Sequence, residues 1–391
     1  MTNDQSLGPN LKSQTPNSKS QSPKCTPGVL KRVYRFLARM DVAAGLIVAV
    51  FLLAALGSCF PQISPSVARD PKRLGEWEAL VRARYGGLAD ALAAGGAFGW
   101  FRAPVFLAGL ALLAAATLVC TLTRWRGVWR RAFHRPVRCS DAALESGPHT
   151  ARLEASPEVD LAGAMRACLE SRGFRVGTAE AVTTNGRALD LRGDRNRLGA
   201  LGTLVTHLGV LLLVLGAALS GAAGWREEIT AGPGATTEIG HGTGLVVRND
   251  GFALERYADG SVAGYKAQVT LFAAGQAVTR SPVRVNKPLN YRGVQLLLQA
   301  YAEAPDGTSV TLLAVRDPGY GPVVAAGFLL LLGMTVTLNL PHCRVHARIE
   351  PQGTVRLAGR AGRRAHGFGR EFAALVKEIR RAVEIPQEEL P

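Results

Sequence analysis

Apolar residues along this chain are gathered into four blocks rather than spread at helix or strand spacing. Val42–Phe60, Ala103–Leu122, Leu198–Ala222 and Gly321–Leu340 contain no Asp, Glu, Lys or Arg. A helix needs about 20 apolar residues to cross a hydrocarbon core of about 30 Å, and each block reaches that length. A buried helix of a soluble protein usually keeps one polar face and runs for about 10–14 residues, unlike these. A cleaved signal peptide does not account for the first block, which starts deep in the chain and exceeds the usual apolar run of about 7–15 residues. The pattern predicts an integral membrane α-helical protein with four transmembrane helices.

Between the blocks the period changes. In 223–319, Val269 and Leu271 alternate with polar neighbours, as do Val294, Leu296, Leu298 and Ala300, and again Val310, Leu312 and Ala314. Gly and Asn/Asp clusters separate these runs, as in an antiparallel sheet or sandwich. In 139–197, Ala151, Leu153 and Ala155 alternate like a strand. Ser156-Pro157 then supplies an N-cap and a first helical residue. Leu161, Met165, Cys168 and Leu169 share one helical face, and Gly173 suits the C-terminal cap. Asn185-Gly186 reads as a hairpin turn, which completes a small α+β unit. Residues 370–384 place Phe372, Leu375, Val376, Ile379 and Val383 on one helical face and Arg370, Lys377, Arg380 and Arg381 around the other. Such a helix lies on an anionic leaflet or packs on the α+β unit; both placements stay open. Residues 1–28, rich in Ser, Pro, Asn, Gln and Lys, read as a disordered tail.

Charge orients the helices. Lys31, Arg32, Arg35 and Arg39 precede the first block, and Arg124, Arg126, Arg130, Arg131, Arg135 and Arg138 follow the second. Arg192, Arg195 and Arg197 precede the third, and Arg344 and Arg348 follow the fourth. If the helices alternate, all of these fall on one side, which the positive-inside rule makes the cytoplasm. The segment 223–319 carries nine basic and nine acidic residues, a balance suited to export. The net charge of +16 is thus mainly a topology signal, and nothing indicates the basic groove that nucleic-acid binding requires. The expected divisions are a cytoplasmic tail at 1–40, a span at 41–60, an outer loop at 61–102 ending in interfacial Trp100 and Phe101, and a span at 103–122. A cytoplasmic α+β insert at 123–197, a span at 198–222 and an exported all-β domain at 223–319 follow. A span at 320–340 and a cytoplasmic tail with the amphipathic helix at 341–391 complete the chain.

The six cysteines form no C-x-x-C and no zinc spacing, and none falls in 223–319, which argues against thiol oxidoreductase chemistry. Cys59 and Cys120 read as small packing residues. Among seven histidines, His207 lies inside the third block, about 14 Å along a helix from Leu198. An ionisable side chain at that depth is a functional candidate. A neutral imidazole can ligate iron through one nitrogen and donate a hydrogen bond from the other. Thr203 and Thr206 are the near partners for that bond, although threonines in helices also bond their own backbone. Packing against a neighbouring helix accounts for His207 equally well. A proton relay is disfavoured, because the spans hold no other titratable acid or base. His342 and His346, just inside the membrane, read as interfacial residues.

Several segments together resemble the ResB-like (CcsB) family of cytochrome c biogenesis proteins. Gly57-Ser-Cys-Phe-Pro-Gln62 is similar to the family's close of the first helix, and Cys120-Thr-Leu-Thr-Arg124 to its close of the second. Thr206-His207-Leu208-Gly209 matches the third helix. Phe252-Ala-Leu-Glu-Arg-Tyr257 with Asp259-Gly260, and Val285-Asn286-Lys287-Pro288-Leu289 with Tyr291 and Gly293, match the outer domain. Asp317-Pro318-Gly319 opens the fourth helix as in the family. One departure is Leu297-Leu298-Gln299, where the family usually has a Tyr-Gln pair. The resemblance implies a multi-pass protein of the bacterial inner membrane, acting in System II with a ResC/CcsA-type membrane partner. That complex carries haem b across the lipid bilayer and attaches it to apocytochrome c. It also implies that His207 is an axial ligand to haem iron. No acid, base or nucleophile is assigned, so the chain is expected as a co-subunit of the synthase. A purely structural scaffold for the partner is the other reading. A solute transporter would show internal repeats and broken helices, which the sequence lacks.

Overall fold

A computed structural model describes residues 28–383, apart from 65, 66, 69, 135, 155–159, 184, 185, 363 and 364. The tail up to Pro27, the Ser156-Pro157 helix start and Asn185 of the hairpin turn lie outside the described residues. Described helices are α1 (Val29–Leu37), α2 (Met40–Ser58), α3 (Pro71–Tyr85), α4 (Leu88–Ala94), α5 (Pro104–Phe133), α6 (Asp141–Glu145), α7 (Leu161–Ser171), α8 (Gly202–Ala223), α9 (Tyr320–Asn339) and α10 (Phe368–Val383). Helices α2, α5, α8 and α9 carry the four spans long and apolar enough to cross a membrane. Pro104 starts α5, where its missing N–H costs nothing. The helix then runs well past its apolar block to Phe133, because Thr123–Phe133 contains no residue that breaks a helix except Gly127.

Glycines seat α8 against α9. Gly202, Gly209 and Gly216 recur every seven residues, close to two helical turns, so they share one face. They meet α9 running the other way: Gly202 faces Gly333 and Thr337, Gly209 faces Leu330, and Gly216 faces Val323 and Gly319. Without a hydrophobic drive between helices in lipid, close backbone approach of this kind supplies the packing. The Asp-Pro-Gly segment closes the seam. The Asp317 carboxylate accepts from Ser220 Oγ at 2.5 Å and from the Gly319 backbone N–H at 3.1 Å.

The stretch 61–102 is more than a loop: it holds α3, α4 and a 3-10 turn at Ala97–Arg102. Phe98 is buried there among Phe60, Trp77 and Tyr85. The Gly57–Gln62 motif ties this unit to α2. Gln62 Nε2 lies 2.9–3.1 Å from the carbonyls of Gly57, Phe60 and Ala97. Trp100 lies over Gly57 and donates its indole N–H to the Leu53 carbonyl at 2.7 Å.

Residues 225–316 form two four-stranded antiparallel sheets. One has the order β4 (Trp225–Ala231), β11 (Gly307–Arg316), β10 (Val294–Ala304), β9 (Leu289–Tyr291). The other has β5 (Thr236–Ile239), β6 (Leu245–Arg256), β7 (Val262–Ala273), β8 (Gln276–Arg284). Val247, Val269, Val283, Leu296, Val310 and Leu312 fill the core between them. The alternation read from the sequence holds through Leu298, which packs on the core, and ends at a bulge between Leu298 and Ala300. Ala300 is therefore exposed, and Gln299 reaches Glu228 of β4 at 3.0 Å. Glu228 also pairs with Arg73 of α3, which joins the 61–102 unit to this domain.

The second soluble domain departs most from expectation. The α+β unit draws on both ends of the α8–α9 hairpin, in one sheet ordered β1 (His149–Glu154), β13 (Thr354–Ala361), β12 (Cys343–Ile349), β3 (Gly186–Arg195), β2 (Arg175–Thr183). The stretch 341–391 is thus more than a tail with a helix, since it supplies the central strand and a neighbour. Among the described residues α7 runs from Leu161 with Asp160 as N-cap, its carboxylate accepting from the Gly163 N–H. Helix α10 packs on the sheet, burying Phe368, Phe372, Leu375 and Ile379, and resolves the two placements left open for it.

The sheet's other face is charged and buried. Asp190, Arg192 and Asp194 of β3 stand beside Arg348, His346 and Arg344 of β12. Arg348 makes a two-point pair with Asp190 at 2.6 and 3.0 Å. Segment 136–145 covers this face: Pro136 and Cys139 carbonyls accept from Arg192 and Arg348, and the Cys139 N–H donates to Asp190 at 2.9 Å. Removing one member of a buried pair strands the other and typically costs about 3–5 kcal/mol. Asp190→Ala is therefore expected to destabilise this domain by about 3 kcal/mol, read as earlier thermal unfolding and faster proteolysis at 139–195 and 343–383. Asp190→Asn, which can still accept from Cys139, is expected to fall between that variant and the parent. Equal melting of all three proteins would contradict this account.

Candidate functional site

His207 lies on α8, one residue beyond the face that meets α9. Thr206 Oγ1 donates to the Gly202 carbonyl at 3.0 Å, within its own helix, and its backbone abuts Gly333 of α9. The next residue stands about 100° further round the helix, and His207 accordingly faces α5. Its Nδ1 lies 3.0 Å from Thr121 Oγ1.

The hydrogen bonds of Thr121 define the imidazole tautomer. A hydroxyl has one hydrogen to give, and that of Thr121 is directed at the Thr117 carbonyl, 2.7 Å away. The arrangement that satisfies both contacts has Thr121 accepting from His207, with the imidazole proton on Nδ1 and the free lone pair on Nε2. Among the described residues, none hydrogen-bonds Nε2. A neutral imidazole oriented through Nδ1–H with Nε2 open has the disposition of a metal-ligating histidine. Neither expected partner plays this part: Thr206 bonds its own backbone and Thr203 is exposed on α8. The group that does lies 86 residues earlier in sequence, on another helix.

Beyond Thr121, α5 carries an aromatic row. Trp125 and Trp129 stack with ring centroids 5.6 Å apart and planes 19° apart, and Phe133 lies 4.4 Å from Trp129. All three remain more than two fifths exposed. Trp125, Arg126, Trp129 and Arg130 line a shallow cleft. Spacing of four along a helix was the signal for this row, hidden among five tryptophans that form no continuous segment.

His342 and His346 belong to the charged face of the single-sheet domain rather than to an open interface. His342 Nε2 lies 2.9 Å from the Asp194 carboxylate. Burial acts to raise the Asp194 carboxyl, but hydrogen bonds from His342 and Arg192 and the Arg192 and Arg344 charges outweigh it and hold it well below the usual carboxylate range. Burial, reinforced by the charges of Arg192 and Arg344, pushes His346 down to about 4, so its ring is neutral near pH 7. Cys120 is buried, Cys59 is exposed, and no described cysteine is bridged. The described residues contain no group of three or more His, Cys, Asp or Glu arranged to hold a metal ion.

The model of the ResB-like family matches residues 40–315 and 306–373. A protein named cytochrome c biogenesis protein CcsB from Synechococcus sp. (strain JA-2-3B'a(2-13)) is 27% identical, over 68% of this chain and 57% of its own length. Another of that name, from Synechococcus sp. (strain WH7803), is 26% identical over 68% of this chain and 59% of its own. The matches thus span less than two thirds of either relative. A solved structure named cytochrome c heme lyase CcmF aligns with 67% of this chain and 44% of its own, at 16% identity and a TM-score of 0.32, a value too low to establish a common fold. The family match takes in the four spans, both soluble domains and His207: the chain belongs to the ResB-like family.

Proposed function

We infer that this chain is a subunit of a System II cytochrome c biogenesis complex, in which it holds haem b in transit through the membrane. The observation that carries this reading is His207, in a span, with Nδ1–H engaged by Thr121 and Nε2 open. The relatives' names support cytochrome c biogenesis as the setting. Haem is the substrate here; His207 supplies one axial ligand, and a ResC/CcsA-type partner supplies the other and receives the haem for attachment to apocytochrome c. No side chain of this protein is assigned a proton transfer or a covalent step.

Two contacts support the sidedness. Arg73 pairs with Glu228, so 61–102 and the two-sheet domain share one side of the membrane. Strands β3 and β12 pair, so 139–195 and 343–383 share the other. The arginine bias assigns the latter side to the cytoplasm, with both termini there, and the two-sheet domain to the periplasm of a bacterial inner membrane. The two-sheet domain then braces the partner or positions apocytochrome c.

The test is an absorption spectrum of the chain purified with and without a ResC/CcsA-type partner. A b-type signal that requires this chain is expected. An undiminished b-type signal in the partner purified without this chain would leave the scaffold reading in its place.

A further inference from the structure

We propose that Trp125, Trp129 and Phe133 form a loading platform on which a flat, carboxylate-bearing tetrapyrrole docks before its iron reaches His207, with Arg126 and Arg130 pairing with the carboxylates. The proposal rests on the haem-carrying reading above and adds to it a site on α5 outside the ligand pair. Three observations converge on it.

The first is continuity. Thr121 and Trp125 are four residues apart on α5, about 6 Å along the axis and about 40° round it. The row therefore leads in single steps from Phe133 to Trp129, Trp125, Thr121 and His207. The second is shape. Trp125 and Trp129 stack nearly parallel, offering an extended π surface that remains open to a further flat ring, and offset stacking of aromatic faces is favourable. Aromatic residues that only anchor a helix at the lipid interface need not stack on one another or line up with a buried histidine. The third is charge. Arg126 and Arg130 line the same cleft as the two indoles, and among the described residues neither forms an ion pair with an acidic side chain. Two free guanidiniums beside a planar stack complement a flat dianion with carboxylates at one edge. A bare hydrocarbon surface or a lipid headgroup would use only part of this arrangement.

Protoporphyrin IX tests the platform without relying on His207, because it carries the ring and both carboxylates but no iron to ligate. The full chain in nanodiscs is titrated with it, and tryptophan quenching and porphyrin fluorescence are followed. Saturable binding is expected in the parent and, unchanged, in His207→Gly. Trp125→Ala/Trp129→Ala is expected to weaken it about tenfold, and Trp125→Phe/Trp129→Phe to restore most of the affinity. Arg126→Gln/Arg130→Gln is expected to weaken protoporphyrin IX about fivefold and to leave its dimethyl ester unaffected. Haemin loading should be slower in the same variants than in the parent, while the absorption bands of the loaded form stay in place. These side chains are exposed, so unchanged melting temperatures confirm that folding is intact. Unchanged porphyrin affinity and unchanged haemin loading in Trp125→Ala/Trp129→Ala would overturn the proposal and leave the row as an interfacial anchor. Equal weakening of the dimethyl ester by the arginine changes would overturn the carboxylate pairing. If His207→Gly keeps its haem while the platform variants lose porphyrin, the ligand reading fails and the platform stands.

Discussion

Haem disappears from the purified complex when His207 is replaced by glycine: its content is expected to fall below about a tenth of the parent's, and cytochrome yield with it. Losing the group that merely orients a ligating histidine already costs about 10–100-fold in metal affinity, and losing the ligand costs at least as much. Glycine leaves a ring-sized space beside Thr121, whose Oγ1 still offers the acceptor that held Nδ1–H. Added imidazole can occupy that space, donate to Thr121 and present its second nitrogen, so part of the haem signal is expected to return. Thr121→Val separates orientation from ligation. It preserves the volume beside the ring, removes the acceptor and should lower haem affinity about 10–100-fold without abolishing the signal. Normal haem content, normal assembly and normal cytochrome yield in His207→Gly would show that the ring only packs.

Gly333→Val is expected to prevent accumulation of folded protein. A Cβ at 333 would stand 2.5 Å from Thr206 Oγ1, 2.6 Å from the Thr206 backbone nitrogen and 2.9 Å from the Gly202 carbonyl. Two of these three atoms belong to the backbone, so no rotamer change can make room. The helices must part along the seam, and overpacking of this kind costs about 1–3 kcal/mol, or more where backbones meet. Because Thr206 precedes His207, the same movement shifts the imidazole relative to Thr121. Gly333→Ala introduces the clash in its smallest form and should already lower the melting temperature and the haem content together. Gly327→Ala, on the same helix with nothing within 4 Å of its added carbon, is the control and should be neutral. Equal behaviour of the 333 and 327 variants in a melting series would refute this view of the seam.

The spans were legible because a charge-free apolar run of about 20 residues suits a membrane-crossing helix and little else, and the structure places four helices on those blocks. Strand alternation in the two-sheet domain was legible as far as Leu298, then failed at Ala300, where a bulge moves the chain out of phase. The central strand of the other sheet was missed for a physical reason. In Cys343-Arg-Val-His-Ala-Arg-Ile349 the alternation is present, but its Arg and His positions look like a solvated, topology-setting cluster. They are instead paired: Arg344 with Asp194, and Arg348 with Asp190 and Asp141. Sequence shows charges without their partners, and those partners lie 150 to 207 residues away. The site followed the same rule. His207 was legible from depth alone, whereas Thr121 is adjacent only after α5 and α8 pack.

That shared sheet has a consequence for how the protein is made. β12 fills the gap between β3 and β13, and roughly 150 residues of chain separate the end of β3 from the start of β12. At about 5–20 residues per second, about 7–30 s pass before Arg344 and Arg348 exist to pair with Asp194 and Asp190 of β3. During that interval α8, the two-sheet domain and α9 are all synthesised. Strand β12 therefore cannot close the sheet until the whole α8–α9 hairpin has been made, and the buried charges of β3 are matched across the sheet only near the end of synthesis.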